Sequence, residues 1–162
     1  MIIGKGDIAS VLKDKKDKVF FASGVSNSRE TDENQYQREI DLLFEQDRDT
    51  HIVYFGSLSI FYSETRYTSH KKLMETLIRE NFKYYTIVRI GNITWGSNPN
   101  TIINSFRNQA KKGEELEIRD EHRYVVEKEE FLHWMNLIPE WSCEMNIPGQ
   151  FLTIKEIVKK YV

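Results

Sequence analysis

A tyrosine and a lysine four residues apart are the side chains whose types and spacing most favour acid–base chemistry. Tyr67 and Lys71 fall in a segment with helical periodicity, and residues four apart are neighbours on a helix surface. The ammonium can therefore approach the phenol and favour its ionised form, which suits a proton donor or acceptor near neutral pH. Ser57 precedes them and could donate a hydrogen bond to a substrate oxygen. These three residues form the candidate catalytic set.

Spacing alone does not single out this pair. The chain has eight tyrosines among many lysines, and a second Tyr-x-x-x-Lys occurs at Tyr124 and Lys128. Only the first pair follows an apolar run of strand length, residues 52–55, and opens an amphipathic helix over residues 68–80. An accidental spacing is the alternative to a catalytic role.

A glycine-rich turn lies at the start of the chain. Residues 1–3 predict a short strand, and Gly4, Lys5, Gly6, Asp7, Ile8 and Ala9 follow it as Gly-x-Gly-x-x-Ala. Between a strand and a helix, here predicted over residues 8–16, this pattern is typical of a turn that lets the backbone approach a pyrophosphate. An ordinary turn is the alternative. No acidic residue follows the next predicted strand, residues 18–22, to bind an adenosine ribose.

The other elements alternate between strands and helices. Further strands are predicted at 52–55, 84–90, 116–119, 123–126 and 143–147. Helices are predicted from Ser28 or Thr31 to residue 46, at 68–80, from Asn100 or Thr101 to residue 112, at 127–138, and from a Thr153 capping box onward. In the helix at 127–138, Phe131, Trp134 and Leu137 are predicted to form the buried side. This alternation favours an α/β fold with a parallel sheet.

Composition narrows the class of protein. The length of 162 residues fits one domain. A formal net charge of −2 with interleaved signs argues against nucleic acid as a partner. The single cysteine, Cys143, excludes an internal disulfide, and the four histidines lack metal-ligand spacing. Without an apolar run of spanning length or a secretory pattern, we expect a cytoplasmic protein with no membrane partner and no metal.

The order of these motifs resembles the extended short-chain dehydrogenase/reductase family, the NAD-dependent epimerases and dehydratases of sugar nucleotides. Residues 4–9 resemble its cofactor turn, 19–24 its fourth strand, 53–61 its Ser/Thr strand and loop, and 67–71 its Tyr-x-x-x-Lys helix. Residues 89–96 are similar to its Arg-x-x-Asn segment, and 123–130 to its late arginine followed by paired acids. The resemblance implies a shortened Rossmann-like domain over residues 1–162, with helices on both faces of a parallel sheet. The family's second and third strands are missing, and residues 96–162 form a reduced, small α+β substrate-binding portion.

The resemblance also implies roles for individual residues. In that family the tyrosine is the general acid/base while hydride passes to or from the nicotinamide, the lysine binds the nicotinamide ribose, and the Ser/Thr orients the reacting oxygen. Carried over, these roles fall on Tyr67, Lys71 and Ser57, and Asn92 and Arg123 become candidate contacts to the diphosphate of a nucleotide-sugar substrate. The residues expected to bind NAD or NADP are Gly4, Lys5, Gly6, Asp7, Ile8, Ala22, Ser23 and Lys71.

The missing strands would remove most of the adenine pocket, which leaves more than one function open. The first is an NAD(P)-dependent epimerase, dehydratase or reductase acting on a nucleotide-activated sugar, with the cofactor weakly bound. The second is a non-catalytic protein that binds a nucleotide, a sugar nucleotide or a partner protein and has lost the cofactor. A cofactor-independent activity with Tyr67 as base is the third. The family also implies a homodimer, in which the helices at 28–46 and at Tyr67 pack against their copies as a four-helix bundle.

Overall fold

A five-stranded parallel sheet forms the centre of the fold. The computed structural model describes all residues from Met1 to Val162. Its strands are β1 (Ile2–Ile3), β2 (Lys18–Phe21), β3 (His51–Ser57), β4 (Tyr85–Ile90), β5 (Asn92–Ile93), β6 (His122–Val126), β7 (Cys143–Ile147) and β8 (Gln150–Thr153). The central sheet has the order β1-β2-β3-β4-β7, and all its neighbouring strands are parallel. Strand β1 is therefore an edge of the sheet.

Helices cover both faces of this sheet. They are α1 (Glu33–Phe44), α2 (Arg66–Asn81), α3 (Ile102–Lys111), α4 (Lys128–Asn136) and α5 (Ile154–Tyr161). Successive strand residues point to opposite faces, so Ile52 and Tyr54 pack under α1 and α2, while Val53 and Phe55 pack against α4. The unbroken apolar run of β3 thus reflects burial on two sides, as predicted. None of the helices combines the length and apolar character needed to cross a membrane.

A second, three-stranded sheet extends the structure beyond β4. Strand β5 pairs with β6 in parallel, and β6 pairs with β8 antiparallel. Helices α3 and α5 pack on this sheet through Ile103, Phe106, Ile154 and Ile157 around Val125. The predicted capping box is present: Thr153 accepts from the Glu156 amide, and the Glu156 carboxylate accepts from the Thr153 amide.

Several predicted elements are wrong. The helix expected at residues 8–16 is a single 3-10 turn, Ala9–Val11, because the chain extends at Leu12 and folds back. The Met1 ammonium then binds the carbonyls of Lys15 and Lys18. The helix expected from Ser28 or Thr31 begins only at Glu33, because Asp32 accepts from the Asn34 amide and caps it.

The remaining corrections concern the C-terminal half. Residues 116–119 are not a strand; Glu117 and Arg119 are exposed and pair with each other instead. In α4, Phe131 and Met135 are four residues apart and share the buried face, whereas Trp134 and Leu137 are 38% and 55% exposed. Leu137 lies beyond the end of the helix at Asn136. Strand β8 was not predicted.

Candidate functional site

A cavity of about 1110 Å³ lies at the carboxyl ends of the central strands. The segments that follow β1, β2, β3 and β4 line it, together with the first turns of α2 and the start of β6. The predicted site residues among them are Lys5, Gly6, Asp7, Ile8, Ala22, Ser23, Ser57, Tyr67, Lys71, Asn92 and Arg123. The fold therefore brings every predicted site residue except Gly4 to one space.

The glycine turn has the open backbone that close approach of a ligand requires. Gly4 has φ +118°, and a Cβ there would lie 2.3 Å from the Ala22 carbonyl oxygen, so only glycine fits between β1 and β2. At Gly6 a Cβ would meet no atom within 4 Å. The backbone N–H groups of residues 5–8 donate to no group of the chain, so they are available to an anion.

The Asp7 side chain is committed to the protein. Its carboxylate accepts from the amides of Ser97 (3.0 Å) and Asn98 (2.9 Å), and its carbonyl accepts from Trp95 Nε1 at 3.0 Å. The loop after β5 is thereby fastened to the glycine turn. Asp7 can offer a ligand its backbone N–H but not a free carboxylate.

Ser23 is held by an arginine that the sequence reasoning missed. Arg38 on α1 donates to Ser23 Oγ (3.2 Å) and to the Ser23 carbonyl (2.9 Å). Arg38 lines the cavity, and its guanidinium donates to Gln35 and Ser23 rather than to a carboxylate. Helical spacing alone did not distinguish Arg38 from other exposed charges of α1.

Tyr67 and Lys71 lie on the first turns of α2, as predicted. Thr65 caps this helix through a reciprocal pair of hydrogen bonds with Thr68. Lys71 Nζ lies 5.5 Å from the centre of the Tyr67 ring. The other Tyr-x-x-x-Lys pair differs, because Tyr124 is in β6 and Lys128 begins α4. Only the first pair is a one-turn helical neighbour pair.

Glu39, which the sequence reasoning missed, binds the Lys71 ammonium. Its carboxylate is fully buried and lies 3.1 Å from Lys71 Nζ. It also accepts from the Val25 amide (2.8 Å), Tyr54 OH (2.9 Å) and His70 Nε2 (3.0 Å). Burial alone would raise the pKa of Glu39, but the Lys71 charge and the hydrogen bonds from His70 and the Val25 amide outweigh it and lower the pKa from 4.5 to about 2. The ionised Glu39 carboxylate is thus the partner of the Lys71 side chain.

Ser57 ends β3 and faces the cavity with a second serine. Its Oγ lies 2.7 Å from Ser59 Oγ and accepts from the Ser59 amide at 3.2 Å, capping the 3-10 turn Leu58–Phe61. Both serines line the cavity. The hydroxyl is at the predicted place, held by its neighbour.

Asn92 and Arg123 reach the cavity with part of their hydrogen-bonding capacity already used. Asn92 Nδ2 donates to the Tyr124 carbonyl at 2.9 Å. The Arg123 guanidinium pairs with Glu121 and donates to the His122 carbonyl. Their contact with a diphosphate stays a prediction.

An ion-pair network fixes α2 to the sheet below the cavity. Arg89 on β4 donates to both oxygens of Glu75 on α2, at 2.8 and 2.7 Å, and to Glu144 on β7. Arg79 also binds Glu75 and Glu144. The hydrogen bond from Arg79, with help from Arg89, lowers the pKa of Glu144 from 4.5 to about 2 despite partial burial. The helix that carries Tyr67 and Lys71 is therefore anchored on two strands. No group of three or more potential ligands could hold a metal ion.

Comparisons with known proteins relate this geometry to solved structures. No protein-family model and no curated protein matches the chain. The Bordetella bronchiseptica enzyme WbmG, in complex with NAD and UDP, matches 88% of this chain at 14% identity with a TM-score of 0.70. The UDP-N-acetylglucosamine 4-epimerase of Methanobrevibacter ruminantium M1, in complex with UDP-N-acetylmuramic acid, matches 93% at 16% identity with a TM-score of 0.65. RMD of Pseudomonas aeruginosa, complexed with NADPH, matches 88% at 17% identity with a TM-score of 0.63.

The chain spans 54%, 60% and 62% of the length of these three chains. It has the Rossmann-like α/β fold of the NAD-dependent sugar-nucleotide epimerases and dehydratases in a shortened form, which confirms the fold that the order of motifs predicted. At these identities the likeness establishes the fold.

Proposed function

We propose that the chain binds a nucleotide-activated sugar in this cavity and acts on it as an NAD(P)-dependent epimerase, dehydratase or reductase. The observation that carries the proposal is the convergence of Ser57, Tyr67 and Lys71 on the space that the glycine turn also lines. Structures of the same fold hold NAD with UDP, or NADPH. That pairing of ligands supports a nucleotide-sugar partner and a nicotinamide cofactor here.

The residues fit one part of the cofactor better than the other. The free N–H groups of residues 5–8, the open space at Gly6 and the uncompensated Arg38 suit phosphates. Lys71 suits the hydroxyls of a ribose, since an ammonium has donors beyond those that Glu39 takes. The adenosine has less support, because the sheet ends at β1. We therefore expect the cofactor to be held through its phosphates and nicotinamide ribose, with low affinity.

The proposed chemistry divides among three side chains of the chain. The bound cofactor would supply or accept the hydride. Tyr67 gives a proton to, or takes one from, the reacting sugar oxygen as general acid/base. Ser57 donates a hydrogen bond to that oxygen and Lys71 fixes the neighbouring hydroxyls, so both reduce the freedom of the reacting groups.

A second candidate function is nucleotide-sugar binding without catalysis. Two observations favour it: Glu39 already pairs with the Lys71 ammonium, and the central sheet has no strand beyond β1 at that edge. In this case Ser57 and Tyr67 contribute hydrogen bonds and ring contacts only.

Titration of the tryptophan fluorescence with NADH, NADPH and UDP-sugars separates these functions. Binding of a nicotinamide nucleotide together with conversion of a UDP-sugar supports the first. Binding of a UDP-sugar alone, without turnover, supports the second. If no nucleotide binds at millimolar concentration, both are wrong.

Tyr67→Phe tests the acid/base role once turnover is observed. The variant keeps the ring and loses the proton, so turnover should fall by about 10²-fold or more, with ligand affinity within about twofold. Tyr124→Phe is the matched control, since it removes the hydroxyl of the other Tyr-x-x-x-Lys pair, and should keep activity. Unchanged turnover in Tyr67→Phe would show that another group transfers the proton.

The homodimer also belongs to this proposal. Helices α1 and α2 lie on the same face of the sheet and expose Phe44 and Leu73, 37% and 44% respectively. Pairing of these helices with a second copy would cover both side chains. Sedimentation at several concentrations tests it, and a strict monomer would exclude the four-helix bundle.

A further inference from the structure

The buried carboxylate of Glu39 has no role in the proposed chemistry, although it lies directly behind the cavity wall. It is the meeting point of three elements: α1 carries Glu39, β3 carries Tyr54, and α2 carries His70 and Lys71. Each of these three partners is buried and within 3.1 Å of a carboxylate oxygen. Because an ionised carboxylate only accepts, His70 Nε2 must carry its proton towards Glu39.

Glu39 binds the Lys71 ammonium, whose side chain is only 3% exposed. Nζ lies 3.1 and 3.4 Å from the two carboxylate oxygens, so at most two of its N–H groups point to Glu39. Gly24 lies against the pair: a Cβ there would be 2.7 Å from Glu39 Oε1 and 2.8 Å from Lys71 Nζ. The lysine also lines the cavity. An ammonium has three donors, so the remaining ones are available to a ligand.

The arrangement also limits where Lys71 can go. A lysine side chain has four rotatable bonds and ordinarily loses much freedom when it binds a ligand. Here the ion pair, the Gly24 backbone and the Tyr54 ring, 5.4 Å from Nζ, already confine the ammonium. The Lys71 side chain therefore loses its conformational entropy on folding, so a ligand that binds it does not bear that cost again.

We propose that Glu39 is a positioning residue, which holds the Lys71 ammonium at the cavity wall and through it sets the affinity for the hydroxyl groups of a bound nucleotide or nucleotide sugar. This inference rests on the proposed function, because it assumes that such a ligand binds beside Lys71. Glu39 itself touches no ligand, yet this role gives a buried residue of α1 a part in ligand recognition.

A double-mutant cycle on ligand affinity tests this role. The variants are Glu39→Gln, Lys71→Met and the two combined, each titrated with NADH and with UDP-glucose at a temperature where all are folded. Glu39→Gln should weaken binding about tenfold, and Lys71→Met at least as much. The combined variant should bind like Lys71→Met alone, because Glu39 then has no ammonium to hold.

Glu33→Gln is the matched control, because Glu33 lies on the same helix in an exposed ion pair with Arg66. It should leave affinity unchanged. If the Glu39 carboxylate only stabilised the fold, Glu39→Gln would melt at a lower temperature than wild type. The folded variant would then bind the ligand as tightly as wild type.

Four results would overturn the proposal, and they differ in what they reject. Wild-type affinity in Glu39→Gln, or additive losses in the combined variant, rejects the positioning role while the proposed function stands. Absence of binding by the wild-type protein rejects the proposed function and the inference with it.

Glu39→Gln leaves a buried ammonium unpaired and could fail to fold for that reason. In that case Glu39→Asp is the second variant, because it keeps the charge and withdraws it by one methylene. Binding several-fold weaker than wild type is then expected, and wild-type affinity in the folded aspartate variant contradicts the proposal.

Discussion

Replacement of Gly24 by alanine perturbs the Glu39–Lys71 pair without removing either charge. The added Cβ would lie 2.7 Å from Glu39 Oε1 and 2.8 Å from Lys71 Nζ, whereas ordinary contacts begin at 3.4 Å. Something must therefore move by about 0.6–0.7 Å. Glu39 is held by Val25, Tyr54 and His70. Residue 24 must therefore draw back from the carboxylate, while the end of the lysine side chain can yield towards the cavity.

The loss of folding stability expected for Gly24→Ala follows from this geometry. Overpacking of a buried site by one methyl costs about 1–2 kcal/mol when one neighbour is a side-chain end that can shift. For a chain of this length, 1 kcal/mol lowers the melting temperature by about 2–4 °C, so Gly24→Ala should melt about 2–8 °C below wild type. Its nucleotide affinity should also fall, because the ammonium is displaced from its fixed position.

Gly6→Ala is the matched comparison, followed by circular dichroism and by NADH titration. A Cβ at Gly6 meets nothing within 4 Å, and its φ is ordinary, so the melting temperature should stay within about 1 °C of wild type or rise slightly. Binding should weaken nevertheless, since the methyl occupies the approach to the turn. Equal melting temperatures for Gly24→Ala and Gly6→Ala would refute the close contact between Gly24 and the ion pair.

Three further perturbations test the fold and its charges. Phe131→Ala removes a fully buried ring that packs on Phe55; it should destabilise by about 3–5 kcal/mol in urea unfolding, and a loss below about 1 kcal/mol would contradict this packing. Thr65→Ala deletes the cap of α2 and should cost about 1 kcal/mol by the same measurement, whereas no loss would mean that the cap does not stabilise the helix. The lowered pKa of Glu39, about 2 when folded against 4.5 as reference, predicts stability that is complete above the unfolded pKa and lost as the pH falls from 4.5 through about 2. Stability of Glu39→Gln should therefore fall less steeply with pH in that window, and parallel curves for variant and wild type would show that Glu39 is not ionised in the fold.

The central sheet could be predicted from the sequence because its strands carry a strong local signal. The apolar run of β3 and the β-branched residues of β4 are unusual enough to fix strands at nearly the right bounds. The prediction of a helix at residues 8–16 was wrong because the interactions that set the conformation of this segment are not local. The Met1 ammonium binds the carbonyls of Lys15 and Lys18, and periodicity cannot report such a contact.

The residues of the candidate site also differ in whether their contacts are local or distant along the chain. Tyr67 and Lys71 could be found because their relation is one helical turn, which spacing shows directly. Glu39 could not, because its partners lie 14 to 32 residues away along the chain. One signal was present: Glu39 falls between Tyr36 and Leu43 on the buried side of α1. A charged residue on an apolar stripe needs a partner when the helix packs, and that reasoning would have pointed to it.

The buried side of α2 is mostly polar, with Thr68, His70, Lys71 and Glu75 beside only Met74 and Ile78. Loss of one member of a buried ion pair strands its partner, which is more damaging than loss of both. Homologous sequences should consequently exchange Glu39 and Lys71 together, and Glu75 together with Arg89, while Met74 and Ile78 drift independently among aliphatic types. Correlated variation between these positions would then be the evolutionary trace of how the helix is attached.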